Sequence, residues 1–467
     1  MNNSVLLTVL DRLNSTEIRQ LSKFLRSPYF NQREDVVLLF DYIQECRALK
    51  IERLDKKKAF QKVYPQATYQ DAKIRHLMSY LLQLVKDFLV QENDVDDVVS
   101  KKIHLCQALR KKGLNRLFEK EWKKTHALQD QQAYRNTHFY YNNYKLYLER
   151  SEYLHQHQRT GEMNLQEVTD ELTTFYIADL LRQSCSVLAH QSLSPQHYDL
   201  KLVEPVLQLV DSGGLRDIPA ISIYYHCYRA LKDLNNEADF YALPPLIKAN
   251  WQQFPNHEIR DILLLAINYC IQKLNSGERK FIREAFELYR FGLAHQIVLR
   301  HGVLSLYTYK NVLKLGLALQ EYDWVEAYLE AFKQYLHPEQ RENNYLHNLA
   351  VFYFSKRDYA KAMSLLQQVT FQDKLHELDA RRMLLRMYYE LQEFDALESL
   401  LESFQTYIRR QKNIGYHQEN YINLIRIMKK MLRTNLDNKT NQAAILQAIH
   451  TTKALAERGW LLEQLNG

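Results

Sequence analysis

The sequence contains few of the residues that interrupt helices. Only 11 Gly and 9 Pro occur among 467 residues, whereas a sheet protein of this length needs many more turn residues to close its hairpins. This scarcity excludes a predominantly β protein and allows long helices. A chain of this length is also too long for one compact core, so we expect several domains or a repeat array.

Long apolar runs are missing as well. Purely apolar stretches, such as residues 5–7 and 262–267, fall far below the roughly 18 residues that a membrane-spanning helix requires. The N-terminus reaches Asp11 and Arg12 after a very short apolar stretch, which is not typical of a secretory signal. We therefore expect a soluble cytoplasmic protein with no membrane insertion. The five cysteines include no C-x-x-C pair, so we expect reduced core residues.

The motifs of common enzymes and metal sites are absent too. Neither G-x-G-x-x-G nor G-x-x-x-x-G-K-[ST] occurs, and no lysine follows Gly213-Gly214. There is no G-x-S-x-G elbow and no family pattern that combines Cys and His. The single E-x-x-H motif, Glu152 to His155, lacks the second copy that a carboxylate-bridged metal centre needs. The sequence therefore predicts no catalytic residue, no metal and no cofactor, and we expect a protein that is not an enzyme.

Helical patterns cover the chain. Asn14 followed by Glu17 predicts a capping box, and Ser27-Pro28 ends the helix that begins there. The acidic stretch at residues 91–97 predicts a domain boundary, and the turn at residues 211–214 predicts another. We predict an all-α protein with two N-terminal helical modules, residues 1–93 and 94–210, and a C-terminal array of helix pairs at residues 211–467.

The positive charge is unevenly distributed. All of the formal net charge of +7 lies within residues 1–130, and residues 101–124 hold nine Lys and Arg against two Glu. Such a hairpin can bind phosphates through charge alone, which makes binding sensitive to salt and blind to sequence. The alternative interpretation is a solvated helix face, because leucines on the same helices supply a buried side. The candidate nucleic-acid residues are Lys101, Lys102, Lys111, Lys112, Lys123 and Lys124.

The C-terminal half repeats with a period of 35 residues. Apolar and aromatic residues of the second helix of each pair recur at this spacing, in the sets Trp324, Tyr359 and Phe394; Ala327, Ala362 and Leu397; and Ala331, Leu366 and Leu401. The preceding helices contain Leu315-Gly316, Leu349-Ala350 and Leu384-Leu385. Small residues at such positions let paired helices approach closely, while large apolar neighbours join one pair to the next.

These residues resemble the tetratricopeptide repeat family over about residues 312–408. Residues 217–256, 257–302 and 416–463 resemble degenerate pairs of the same kind. The resemblance implies a helical-hairpin solenoid whose first helices line a groove for a segment of a protein partner. Some family members hold a C-terminal carboxylate with fixed Lys, Asn and Arg residues, but here only Asn348 matches, so the resemblance does not extend to that clamp.

Transfer of the family's groove positions nominates residues of three successive first helices. The partner-binding candidates are Lys310, Asn344, His347, Phe354, Arg382, Arg386 and Tyr389, with Leu313, Leu317, Val351 and Asp379 beside them. Arg382 and Arg386 lie four residues apart, so they can together hold an acidic side chain. We therefore expect a non-enzymatic adaptor, with a nucleic-acid-associated regulator as the alternative.

A second resemblance concerns the N-terminus. The strings KFLRSPYFN (residues 23–31) and KIRHLMSYLLQLVKDFL (residues 73–89) resemble the start of uncharacterised helical proteins from Bacteroidetes-type bacteria. This resemblance implies a bacterial helical protein and no particular activity.

Overall fold

The fold is all-α. The computed structural model describes residues 4–49, 54–93, 97–158, 160–192, 194–370, 374–411, 415, 417–435 and 438–466. These residues contain no β-strand, and their one β-bridge joins Arg300 to Val303. The predicted absence of sheet is therefore confirmed for the described residues.

The chain divides into two compact units, Met1–Asp179 and Leu180–Gly467, called here the N-terminal and C-terminal units. This division differs from the predicted boundaries at 93/94 and 210/211, which remain predictions. The acidic stretch taken as the first boundary includes residues 94–96, which lie outside the described residues.

The N-terminal unit begins with five helices around one apolar core. They are α1 (Val5–Leu10), α2 (Ser15–Leu25), α3 (Glu34–Ala48), α4 (Lys56–Val63) and α5 (Asp71–Asn93). The predicted capping box is present: the Asn14 side chain accepts from the Glu17 N–H at 3.0 Å, and the Glu17 carboxylate accepts from the Asn14 N–H at 2.7 Å. Leu10, Leu21 and Leu25 are fully buried, and burying each such side chain contributes about 1.5–3 kcal/mol.

Three further helices belong to this unit, namely α6 (Val98–Lys111), α7 (Asn115–Asp130) and α8 (Thr137–His157). The boundary between the two units falls within the next helix, α9 (Leu165–Gln191). Gly113 makes the turn between α6 and α7 with a φ of 67°, which a glycine adopts without strain. The Trp122 indole of α7 donates to the Leu146 carbonyl of α8 at 3.0 Å.

The C-terminal unit is built from helices that pack consecutively in pairs. After α10 (Val203–Asp211), the pairs are α11 (Pro219–Lys232) with α12 (Glu237–Asn250), α13 (Asn256–Asn275) with α14 (Phe281–Ala294), α15 (Leu306–Ala318) with α16 (Tyr322–Lys333), α17 (Arg341–Ser355) with α18 (Tyr359–Gln368), and α19 (Lys374–Glu390) with α20 (Phe394–Arg410). The last three helices are α21 (His417–Arg433), α22 (Lys439–Thr451) and α23 (Arg458–Asn466). Short 3₁₀ helices occupy Leu215–Asp217 and Trp251–Gln253.

The turns inside three successive pairs have the same geometry. Gln320, Arg357 and Gln392 each adopt left-handed φ values of 58–61°. The next residues, Glu321, Asp358 and Glu393, each donate a backbone N–H hydrogen bond of 2.9 Å to the carbonyl five residues earlier. Those carbonyls belong to Gly316, Tyr353 and Tyr388 respectively. This hydrogen bond satisfies a carbonyl at the end of the first helix. The three turns also align the three helix pairs by their geometry, independently of the repeat seen in the sequence.

This register corrects the predicted 35-residue spacing. The equivalent turns are 37 and then 35 residues apart, so the first pair is displaced by two residues from the sequence alignment. Val325 and Leu329 are fully buried at the positions equivalent to Ala362 and Leu366, whereas Ala327 and Ala331 are exposed. The extra length is consistent with α16, which has 12 residues against 10 in α18.

Close approach within a pair is clearest at Gly316. A Cβ atom added there would lie 2.4 Å from Val325 Cγ2, so α15 and α16 can approach only because this residue has no side chain. Ala362 is fully buried in a cluster that includes Ala350 of α17 and Met383 of α19. The predicted small-residue contacts are therefore confirmed at Gly316 and Ala362.

All five cysteines are buried and unbonded, as the sequence indicated. None of the described helices combines the length and the apolar character needed to cross a membrane.

Candidate partner-binding surface

Basic residues occupy equivalent positions on three first helices. In the register of the turns, Lys310 of α15, His347 of α17 and Arg382 of α19 correspond to one another. Lys314 of α15 and Arg386 of α19 correspond in the same way, four residues further along each helix. Since α17 contacts both α15 and α19, these five residues form a continuous set, called here the basic row.

The lysine end of the basic row differs from the arginine end in its ion pairs. Within the part of the chain that the structure describes, Lys310 and Lys314 form no ion pair, whereas the arginines do. Desolvation by the surrounding protein, and then the positive charge of Lys310, lower the pKa of Lys314, although its side chain remains exposed. Two cations that repel each other at a solvent-accessible position favour the binding of an anion.

The arginine end of the basic row is filled by Glu457. Arg386 Nη1 donates to Glu457 Oε2 at 2.8 Å, and Arg382 Nη1 donates to the other carboxylate oxygen. The three side chains are 16–22% exposed, so solvent screens this contact less than a surface ion pair. Glu457 lies just before α23 and has a left-handed φ of 57°, a conformation that costs a non-glycine residue energy.

Asp379 supplies a second carboxylate at this end. Arg382 donates to its Oδ1 from Nε at 3.0 Å and from Nη2 at 2.8 Å. Burial by itself would raise the pKa of Asp379, but the charge and hydrogen bonds of Arg382 outweigh it and hold the pKa below its usual value. Asp379 is therefore ionised at neutral pH and already committed to Arg382.

Aromatic side chains flank the arginines. The Arg386 guanidinium lies 5.0 Å from the Phe354 ring centroid and 5.2 Å from that of Trp460, within the range of a cation–π interaction. The Trp460 indole donates to Glu390 at 2.8 Å and meets Tyr389 edge-on at 5.4 Å. The Glu457–Trp460 segment thus places one carboxylate on the arginines and one aromatic ring beside them.

His347 lies in the centre of the basic row and is buried. It is 1% exposed, and neither ring nitrogen has a hydrogen-bond partner among the described residues. Its ring stacks on that of His376 at 4.6 Å and 21°. Burial, and then the charge of His376, lower the pKa of His347 to about 4, so it is neutral at pH 7. The described residues contain no cluster of three potential metal ligands.

The structure brings most of the predicted candidates together but changes the role of several. Phe354, Tyr389 and the basic residues share one region, whereas Asn344 is buried at 7% exposure and His347 at 1%. Leu313 is fully buried, so the transferred assignment of Leu313 to the groove is wrong and Lys314 takes its place. The assignment of the remaining set to a partner stays a prediction.

Sequence reasoning missed Lys314, Glu457 and Trp460. Lys314 could have been found from the spacing of Tyr309, Val312 and Leu313, which predicts one buried helix face and places residue 314 on the opposite side. The structure shows these three residues buried. Glu457 carries no such signal, because its contact with Arg382 spans 75 residues of sequence.

The basic hairpin of the N-terminal unit is a separate surface. Glu121 accepts from Lys124 at 3.1 Å and from Lys102 at 3.5 Å. The remaining candidates are exposed and form no ion pair in the described chain; they are Lys101, Lys111, Lys112 and Lys123. Their predicted orientation toward water is confirmed, and their binding of nucleic acid stays a prediction.

Comparison with family models, with curated proteins and with solved structures found no match to this chain.

Proposed function

We propose that this chain is a non-enzymatic scaffold of the cytoplasm whose tetratricopeptide-like helix pairs bind a segment of a protein partner along the basic row. The observation that carries the proposal is the recurrence of two cations, four residues apart, at equivalent positions of α15 and α19. The pair on α19 already holds a carboxylate, whereas the pair on α15 forms no ion pair with any residue that the structure describes. Rows of first helices that touch one another offer a continuous surface for a peptide or a helix.

The proposal is tested by affinity capture with charge-reversed variants. Lys310→Glu combined with Lys314→Glu should remove the main partner captured by the wild-type protein, while leaving helix content and melting temperature unchanged. The matched control is Arg409→Glu combined with Arg410→Glu, which makes the same charge change at exposed positions of α20. Retention of the partner by the folded Lys310 and Lys314 variant would show that the basic row is not the binding surface.

A second candidate function rests on the basic hairpin. The exposed lysines without ion pairs favour contact with the phosphates of a nucleic acid, and the chain would then act as a nucleic-acid-associated regulator. Nuclease treatment before capture separates the two functions, because a protein partner held by the basic row survives the treatment and a tether through nucleic acid does not.

A further inference from the structure

We infer that Lys310 and Lys314 form a second carboxylate-binding position, and that it takes an acidic segment in which an apolar side chain follows the carboxylate by three residues. This inference rests on the proposed function and specifies the partner of the same surface. It is drawn from the chain's own Glu457–Trp460 segment, which shows how the equivalent position on α19 is filled.

The α19 position defines the chemistry. Two cations four residues apart each take one oxygen of Glu457. Three residues after Glu457, the ring of Trp460 meets Tyr389 at 5.4 Å. The occupant therefore contributes one carboxylate and one aromatic ring, and it belongs to the same chain.

The α15 position has the same elements without an occupant from the described chain. Lys310 and Lys314 correspond to Arg382 and Arg386, and Leu317 corresponds to Tyr389 in the register of the turns. Leu317 is half-buried and Lys314 is exposed, so both can meet a segment that arrives from outside. The apolar side chain of that segment would lie against Leu317, as Trp460 lies against Tyr389.

No carboxylate among the described residues forms an ion pair with Lys310 or Lys314. Asp379 is the acid whose charge reaches both lysines, but both of its contacts with Arg382 are short hydrogen bonds. His347, which lies between the two ends of the row, is neutral at pH 7 and therefore adds no charge of its own there. An outside carboxylate therefore meets two cations that feel the charge of Asp379 but form no ion pair with any described carboxylate.

The α15 position has lysines where the α19 position has arginines, and this difference affects how strongly a carboxylate is bound. A guanidinium holds a carboxylate in a fixed fork, whereas an ammonium group is a compact and strongly hydrated charge on a flexible stem. Binding at α15 should therefore be weaker than the internal contact at α19, reversible and reduced by salt. These properties suit an exchangeable partner.

The test uses the full-length protein and labelled peptides built from Glu-Ala-Ala-Trp repeats, with Gln-Ala-Ala-Trp and Lys-Ala-Ala-Trp peptides of equal length as probes of charge. Fluorescence anisotropy should show binding of the Glu peptide alone, with affinity that falls as salt is added. Lys310→Glu with Lys314→Glu should weaken it about tenfold or more, whereas Lys310→Arg with Lys314→Arg and the Arg409 and Arg410 reversal should retain it.

Three results would overturn the inference: equal binding of the Gln peptide, full binding by the folded Lys310 and Lys314 reversal, or equal competition by an oligonucleotide of the same charge. The outcome also separates the inference from the proposed function. If the Glu peptide does not bind but the reversal still removes the captured partner, the acidic class is wrong and the scaffold stands. If the reversal retains that partner, the proposed function itself fails.

Discussion

Arg386 donates a hydrogen bond of 2.8 Å to Glu457, which lies 71 residues later in the chain. Arg382 binds the second oxygen of the same carboxylate. Because these three side chains are largely shielded from water, the loss of the carboxylate leaves Arg386 with its longer ion pair to Glu390, at 3.6 Å, and Arg382 with Asp379. Removing one member of such a group costs more than the intact contact contributes.

Glu457→Gln should therefore lower the free energy of unfolding of the C-terminal unit by about 1.5–3 kcal/mol. The amide keeps the shape of the side chain but loses its charge. The matched control is Glu463→Gln on the exposed side of α23, which should change stability by about 0.5 kcal/mol or less. Denaturant unfolding measures both, and equal effects would show that the arginines do not depend on Glu457.

Gly316→Ala should destabilise the α15–α16 pair, although alanine favours helices over glycine by about 1 kcal/mol. The added Cβ would lie 2.4 Å from Val325, a fully buried and stiff side chain. We expect a net loss of about 1–3 kcal/mol. In contrast, Gly459→Ala in α23 meets no atom within 4 Å and should gain about 0.4–1 kcal/mol. Thermal melts of the two variants should move in opposite directions.

Ala362→Leu and Ala327→Leu distinguish the observed register from a uniform 35-residue repeat. Ala362 is fully buried and Ala327 is exposed, so only the first substitution overpacks a core, at a cost of about 1–3 kcal/mol. The melting temperature should fall by about 2–4 °C for each kcal/mol lost. A similar fall in melting temperature for Ala327→Leu would instead support the uniform 35-residue repeat.

His347 should make the C-terminal unit less stable in mild acid. Its folded-state pKa of about 4 lies below the value of about 6.5 expected in the unfolded chain, so the unfolded state takes up the proton first as pH falls. The contribution to stability is full above pH 6.5 and is lost progressively toward pH 4, by up to about 3 kcal/mol. His347→Gln should flatten this slope, whereas His257→Gln, at an exposed site on α13, should leave it unchanged.

Nucleic-acid binding, where it occurs, should depend on the basic hairpin and disappear with salt. The test variant reverses four lysines to Glu, namely Lys111, Lys112, Lys123 and Lys124. Each lysine that contacts a phosphate should contribute about one unit to the slope of log affinity against log salt. A control variant reverses exposed cations elsewhere in the same unit, namely Arg19, Lys23, Lys58 and Lys86. If both variants lose binding equally, net charge rather than the hairpin is responsible.

Much of the fold could be predicted because it depends on local patterns. The capping box at Asn14 and Glu17 involves residues three apart, and both of its hydrogen bonds are present. The register of the first pair could not be predicted, since aromatic residues occur at both Tyr322 and Trp324 and only the turn at Gln320 shows that Tyr322 is equivalent to Tyr359.

The candidate site was predictable only in part, for a physical reason. Spacing along one helix places Arg382 and Arg386 on the same face, which made them candidates for holding an acidic side chain. The carboxylate that fills them in this structure comes from Glu457, and a contact across 71–75 residues has no local pattern. For the same reason, charge reversal of the two arginines should lower the stability of the C-terminal unit, because it places two acids beside Glu457 and Asp379.

The distance in sequence between Arg386 and Glu457 also fixes an order of events during synthesis. A ribosome adds about 5–20 residues each second, so Arg386 is made about 4–14 seconds before Glu457. Throughout that interval the nascent chain holds both arginines and both lysines of the row without the carboxylate that later neutralises one end. During synthesis, the ion pair consequently cannot form until the segment that contains Glu457 has been made.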